Sequence, residues 1–427
     1  MGTTVVESPP PLSTVHATAL YVGALLGPAA LLLPGLAVDL AGPASVISWG
    51  ILLMLSALLA IVFAGLGRRF GSQAGVRAFT AERLGATAGR VVAHCFLGGV
   101  IIGAPLVCLI GGQYLAAPFG GSTPVVAGCA AVLLLLVLLV TLAGARAGTP
   151  LQLTLVILLI VLIGVAVLGS AIHADNAHWA PFAPHGAGGI TSAAASLMLA
   201  FVGWEASASL TGRLRDARRQ LPRVVTAAFI ITSVVYLGLA TSTVAVLGAS
   251  TGTRTPLSDL LAAAVGPPGR ILAALCAVAL TLACTNAYLT GAAALIRTST
   301  AIPRPSRRTP TRRHGLELAV GVSGFLVIGG VGIGWWTVDD LVAIPSTLFV
   351  AVYLGCTVSA TLMTKSWLRA VSATAATASL ALLTAGGWTV LVPVAIASAT
   401  RIWTSNQSPA PTQRTPTGYG ATRRWQC

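Results

Sequence analysis

Tyr21-Val22-Gly23-Ala24-Leu25-Leu26-Gly27-Pro28-Ala29-Ala30-Leu31-Leu32-Leu33-Pro34-Gly35 is apolar almost throughout, yet it carries glycine and proline at mid-length. In lipid a spanning segment must satisfy its own backbone N–H and C=O groups. Proline has no N–H, and its ring clashes with the preceding turn. The economical reading is a helix interrupted between Gly23 and Ala29. A second anomaly lies far downstream, in Ala200-Phe201-Val202-Gly203-Trp204-Glu205-Ala206-Ser207-Ala208-Ser209. Here Gly203 stands near the centre of an apolar segment, beside an ionisable Glu205. A carboxyl at that depth is expensive and faces a cavity or a partner.

Around these stretches the chain is built for a lipid solvent. Of 427 residues, 56% are hydrophobic and 8% charged, with mean hydropathy +0.88. Soluble domains carry about 25% charged residues, so a soluble enzyme, a secreted disulfide scaffold and a nucleic-acid module are excluded. Apolar segments fall at about 15–41, 44–66, 91–117, 124–143, 150–172, 190–211, 223–248, 270–297, 316–335, 341–363, 367–385 and 387–404. A spanning helix needs about 20 such residues, which predicts an all-α integral membrane protein with twelve transmembrane helices. Only Gly386-Gly387 divides the last two, and Gln73 to Gly89 is expected to form an interfacial helix.

The net charge of +15 has a topological cause. Lys and Arg concentrate in cytoplasmic loops. All but Arg254 and Arg270 of the 25 Lys and Arg fall in even-numbered loops or the C-terminal tail. Both termini are therefore expected in the cytoplasm. No Lys or Arg precedes Arg68, so no cleavable signal peptide is expected. Lys365 is the one lysine, a bias of GC-rich bacteria that points to a bacterial plasma membrane. The tail after Thr404 has too few apolar residues to fold. The seven cysteines form no CxxC pair, and their odd count and spacing speak against disulfides or zinc. Neither metal nor cofactor is expected.

The anomalies lie in the first and sixth segments. Two five-helix inverted repeats, with broken helices meeting at the bilayer midplane, have this arrangement. The expected organisation is a tail at 1–14, a first repeat at 15–172, an outer loop at 173–189, a second repeat at 190–363, two further helices at 364–404 and a disordered basic tail at 405–427. Broken helices expose N–H groups on one half and C=O groups on the other, which attract carboxylate and ammonium respectively. A zwitterionic amino acid answers both. Either glycine cluster alone reads as well as a packing site or a kink.

Several motifs carry a resemblance. Gly27-Pro28-Ala29, Leu33-Pro34, Ala41-Gly42-Pro43 and Trp49 are followed by Leu66-Gly67-Arg68-Arg69-Phe70, Gly75 and Leu84-Gly85. Later come Phe201-Val202-Gly203-Trp204-Glu205 and Arg218-Arg219-Gln220-Leu221-Pro222-Arg223. Over nearly its whole length the sequence resembles the APC superfamily of amino-acid transporters. Within it, the sequence looks most like the bacterial branch that exports methionine and branched-chain amino acids. The resemblance implies a LeuT-like fold, with helices 1 and 6 broken and two peripheral helices. It also implies alternating access, an amino-acid substrate and a proton as coupling ion. The substrate would lie on Gly23, Ala24, Leu25, Leu26, Gly27, Pro28 and Ala29, on Phe201, Val202, Gly203 and Trp204, and on Asn286. There are departures: Pro28 and Ala29 replace residues of the family's Gly-x-Gly element, so carboxylate capture must rely on neighbouring N–H groups. Segment 5 lacks the lysine of some proton-coupled relatives. Thr281, Thr285 and Thr290 offer hydroxyls of the kind that bind sodium in distant relatives.

Glu205 is the candidate for proton coupling, since desolvation disfavours a charged carboxyl; it reads also as a structural acid bonded to unwound backbone. Asn286 either lines the pocket or bonds a neighbouring helix. Trp204 either gates the pocket or packs. His94 is expected at the interface and Asp39 as a solvated anchor. His173, His178 and His185, near Asp175, are expected in water, and Pro345-Ser346-Thr347 is expected to line the cavity opposite segment 1. No buried acid other than Glu205 is evident, so the substrate side chain is expected to be neutral or apolar. An enzyme is not expected, because Glu205 lacks an evident catalytic partner. An efflux pump for another metabolite or drug on the same scaffold remains the alternative.

Overall fold

The computed structural model describes residues 12–70, 75–143, 149–206, 214–248, 253–299 and 315–405. Among these residues it is helical, with one isolated β-bridge from Leu12 to Leu214. Nine helical stretches among them are long and apolar enough to cross a bilayer. The C-terminal tail from 406 and most of the N-terminal one lie outside the described residues.

The first segment is two helices, α1 (Thr14–Leu25) and α2 (Ala29–Ala41). Then come α3 (Ser45–Phe70), α4 (Val76–Ala116), α5 (Thr123–Leu142) and α6 (Thr149–Ser170). The sixth segment opens with α7 (Gly186–Leu197). After it run α8 (Ala217–Ser242), α9 (Pro256–Val265) and α10 (Pro268–Ser299). The chain ends with α11 (Gly315–Gly332), α12 (Val338–Met363), α13 (Ser366–Ala385) and α14 (Leu391–Ser405).

Of the helix expected over Gln73 to Gly89, residues 73 and 74 lie outside the described ones, and the rest begins at Val76 as the first arm of α4. Gly85, at φ +85°, breaks the helical path between that arm and the span. Only glycine adopts such a conformation without strain. One helix was not expected: α9 lies in the loop after segment 7. Its ten residues are too few to stand out as a span, but Leu257, Leu260 and Leu261 are fully buried against α6 and α10.

α4 runs through the middle of the molecule, packed along α12 and α10. α2 is buried from Ala29 to Val38, as a helix apolar all round requires. The outer helices instead turn Leu135, Leu136, Leu139, Ile157 and Val161 outward, where lipid replaces water. Tyr114 ties the centre together. Its hydroxyl donates to the Leu31 carbonyl (2.8 Å) and accepts from the Leu257 N–H (3.2 Å) at the start of α9. Tyr114→Phe removes both bonds and strands a buried N–H, at about 1–3 kcal/mol. The expected outcome is a lower melting temperature in detergent; an unchanged one would show that the tie contributes nothing.

Arg254, one of the two exceptions to the charge alternation, pairs with Asp339 at 2.5 Å, joining the loop before α9 to the start of α12. Asp39 is half-buried and within electrostatic reach of Arg254. In the loop after α6, Asp175 accepts from the Ala177 N–H (2.8 Å), and the His178 ring bonds the Ala245 carbonyl (3.0 Å). His94 bonds Thr400 of α14 at 2.9 Å.

Candidate functional site

The first break is narrower than the sequence suggested. Gly23, Ala24 and Leu25 are helical, and the chain leaves the helix only at Leu26, Gly27 and Pro28. Pro28 sets that limit. It supplies no N–H to the Ala24 carbonyl four residues back, and its ring crowds that same turn. The helix restarts at once, with the Ala30 and Leu31 N–H groups donating to Gly27 and Pro28 carbonyls (both 3.0 Å).

In the sixth segment α7 gives way to a 3₁₀ turn, Met198–Phe201, then to extended Val202 and to Gly203 at φ +141°. A second 3₁₀ turn, Trp204–Ala206, follows. Residues 207–213 lie outside the described ones. Gly203 passes directly over the first break. A Cβ on it would lie 2.8 Å from the Ala24 carbonyl oxygen and 3.0 Å from its carbon. The two interruptions therefore meet.

Tyrosines stitch them together. The Tyr236 hydroxyl contacts the Leu25 carbonyl (2.8 Å) and the Ala200 carbonyl (3.2 Å), one from each segment. Tyr21 donates to the Trp204 carbonyl (2.9 Å). Tyr353 of α12 donates to Glu205 Oε2 (2.7 Å), which also accepts from the Gly203 N–H (3.1 Å). Glu205 thus has a phenolic partner that nothing local in the sequence announces. Trp204 is fully buried, its indole N–H donating to Ser56 (2.9 Å) and its ring set edge-on to Tyr21. In this conformation Trp204 packs.

A cavity of about 10 Å³ lies at the junction, room for about one water. Its walls include Ala24, Leu25, Gly27, Pro28 and Ala29 from the first segment, and Leu199 and Val202 from the sixth. Gly103, Leu106, Val107 and Ile110 of α4 and Tyr288 of α10 complete it. An amino acid enters only if these elements separate. Gly23 and Leu26 do not line it. Phe201 closes the 3₁₀ turn. Asn286 is buried and directed elsewhere: its Oδ1 faces the Thr141 hydroxyl of α5 at 3.5 Å. Tyr288, two residues on, holds the place the sequence suggested for Asn286. Ser346 and Thr347 bond carbonyls of their own helix (2.7 and 2.8 Å), and Ser346 also reaches the Ser196 carbonyl of α7 (3.2 Å).

Beside this geometry stand the proteins that the chain is similar to. A family model described as amino acid permease matches residues 12–304. The chain belongs to the amino acid permease family. YecA, an amino acid permease of Bacillus subtilis (strain 168), is 26% identical over 406 residues, covering 91% of this chain and 94% of its own length. YjeH, the L-methionine/branched-chain amino acid exporter of Escherichia coli (strain K12), is 27% identical over 384 residues, covering 85% and 88%. The methylthioribose transporter of Bacillus subtilis (strain 168) is 22% identical over 350 residues, covering 74% and 75%. These relatives and the family are transporters, not enzymes, and the helices of this permease are those of a multi-pass membrane protein.

Proposed function

We propose that this permease exports neutral, apolar amino acids of the methionine or branched-chain type across a bacterial plasma membrane, by alternating access coupled to protons. The contact between the two breaks carries this reading: Gly203 lies on Ala24, and both segments line one cavity. The carboxylate would meet the N–H groups of Gly27 and Ala29, since Pro28 has none. The ammonium would meet the carbonyls at the ends of α1 and the 3₁₀ turn, where helix dipoles are negative. The side chain would lie among Leu106, Val107, Ile110 and Val202, which offer no charge. Glu205, held by Tyr353 and the Gly203 N–H, would carry the proton.

The wider architecture belongs to the same proposal. Twelve crossings arise if the paired halves of segments 1 and 6, and the short α14, each count as spans. The repeats would then run 15–172 and 190–363, with both termini cytoplasmic.

A second reading has one observation in its favour, the likeness to a methylthioribose transporter. Methionine and methylthioribose share a methylthio group, which the apolar cavity walls would suit. One panel separates the readings. Everted and right-side-out vesicles carrying the permease are given labelled leucine, valine, methionine, arginine and methylthioribose. Export of leucine, valine and methionine is expected, with arginine excluded; transport of methylthioribose alone would overturn the amino-acid reading.

A further inference from the structure

We infer that a groove between α4 and α14 holds the phosphate of an anionic phospholipid, with an acyl chain along its apolar wall. The groove has a volume of about 320 Å³ and shares no lining residue with the cavity at the breaks. His94 of α4 and Thr400 of α14 form its polar side, bonded to each other at 2.9 Å. Ile396, Ala399 and Trp403 of α14 form the rest. Trp403 is exposed near the end of that helix. Tryptophan favours the level of the lipid headgroups, so the groove opens where a phosphate and an acyl chain meet.

The charges around the groove select an anion. Arg90 lies one turn before His94 on the same face of α4, and both Arg90 and Arg77 act electrostatically on His94. Arg77 belongs to the first arm of α4. The break at Gly85 turns that arm back on the span, so that a Cβ on Gly89 would lie 2.7 Å from the Arg77 carbonyl oxygen. Arg401, beside Thr400, is exposed. Glu82, the acid of the same arm, is engaged by Arg69 at 4.0 Å. Arg90 has donors to spare. Its Nη2 reaches Thr87 at 3.5 Å, and its Nε is buried with no hydrogen-bond partner among the described residues. An unpaired buried donor is costly. A phosphate diester brings both the negative charge and the acceptor oxygens that this deficit lacks. With Nδ1 of His94 accepting from the Thr400 hydroxyl, Nε2 carries a proton for the same phosphate. Basic pockets between membrane helices take lipid headgroups in this way. Free phosphate would leave Ile396, Ala399 and Trp403 uncovered, whereas a phospholipid uses both sides of the groove.

Native mass spectrometry of the whole permease tests this, with graded dioleoyl-phosphatidylglycerol or dioleoyl-phosphatidylcholine added to the micelles. One phosphatidylglycerol is expected to be retained at about tenfold lower lipid concentration than phosphatidylcholine. Arg90→Gln removes the charge. Ala399→Trp, at an exposed position, fills the groove and keeps every charge, so it stands in should Arg90→Gln fail to fold. Each is expected to weaken phosphatidylglycerol retention about tenfold, to the level of phosphatidylcholine. Equal retention of the two lipids by wild type, or unchanged phosphatidylglycerol retention in Ala399→Trp, overturns the inference. Displacement of the lipid by excess inorganic phosphate would show that the groove takes the anion without the chain, and overturns it too. None of these readouts depends on which substrate the permease carries.

Discussion

Gly203→Ala is expected to abolish transport, while Gly27→Ala keeps it within a few-fold of wild type. Both glycines belong to the motifs that mark the breaks, yet their surroundings differ. Gly203 has φ +141°, and an added Cβ would meet the Ala24 backbone at 2.8 Å. A non-glycine residue in such a conformation costs about 1–3 kcal/mol before any clash. The atom it would strike is main chain and cannot rotate aside. Relief therefore separates the two breaks, which is where the substrate is held. At Gly27 a new Cβ would lie 3.5 Å from Cys284 Sγ, an ordinary contact. Leucine counterflow in proteoliposomes checks the pair, with size-exclusion profiles to confirm folded protein. Equal activity of the two variants would show that the close approach at Gly203 is dispensable.

Glu205→Gln is expected to remove the pH dependence of transport while leaving leucine exchange intact. Glutamine still offers an oxygen to the Tyr353 hydroxyl and the Gly203 N–H, the two donors found at 2.7 and 3.1 Å. The local hydrogen bonds survive, and only the titratable proton is lost. In wild type a proton gradient should drive net leucine movement; in the variant the gradient should have no effect. Glu205→Ala discriminates less well, because it removes the carboxylate that the Tyr353 hydroxyl and the Gly203 N–H share and leaves the Gly203 N–H only the Tyr353 hydroxyl, at 3.3 Å. Net transport by Glu205→Gln that still follows the gradient would mean that another group carries the proton.

Much of this was legible because lipid leaves few alternatives. A segment such as 124–143 can be little other than a spanning helix, and α5 occupies Thr123–Leu142. Gly-Pro at 27–28 and Gly203 mark interruptions for reasons local to the backbone, and both helices stop there. The start of the first break was misjudged because Gly23 drew attention, whereas Pro28 acts one turn back, on Ala24. The partners were harder to see. Five of the six tyrosines lie in apolar segments, and all five touch the junction or its flanks: Tyr21, Tyr114, Tyr236, Tyr288 and Tyr353. A buried phenol needs a partner, so their depth was a usable signal. Which carbonyl or carboxylate each would reach depends on packing between distant helices, such as α12 beside the sixth segment. Asn286 kept two readings open for the same reason, and its contact with the neighbouring helix is the one found. Its polarity marked the right turn of α10, but helix phase turned it toward Thr141 and gave the cavity to Tyr288.

The most direct test is the structure of the permease in lipid nanodiscs with saturating L-leucine. Density for the amino acid is expected between Leu26–Pro28 and Val202–Gly203. Its ammonium should lie within hydrogen-bonding distance of the Leu25 and Ala200 carbonyls, and its side chain toward Leu106 and Val107. Leucine bound at a site remote from both breaks, or a junction still closed around Gly203 and Ala24 at saturation, would contradict the claim that the two interruptions form the substrate site.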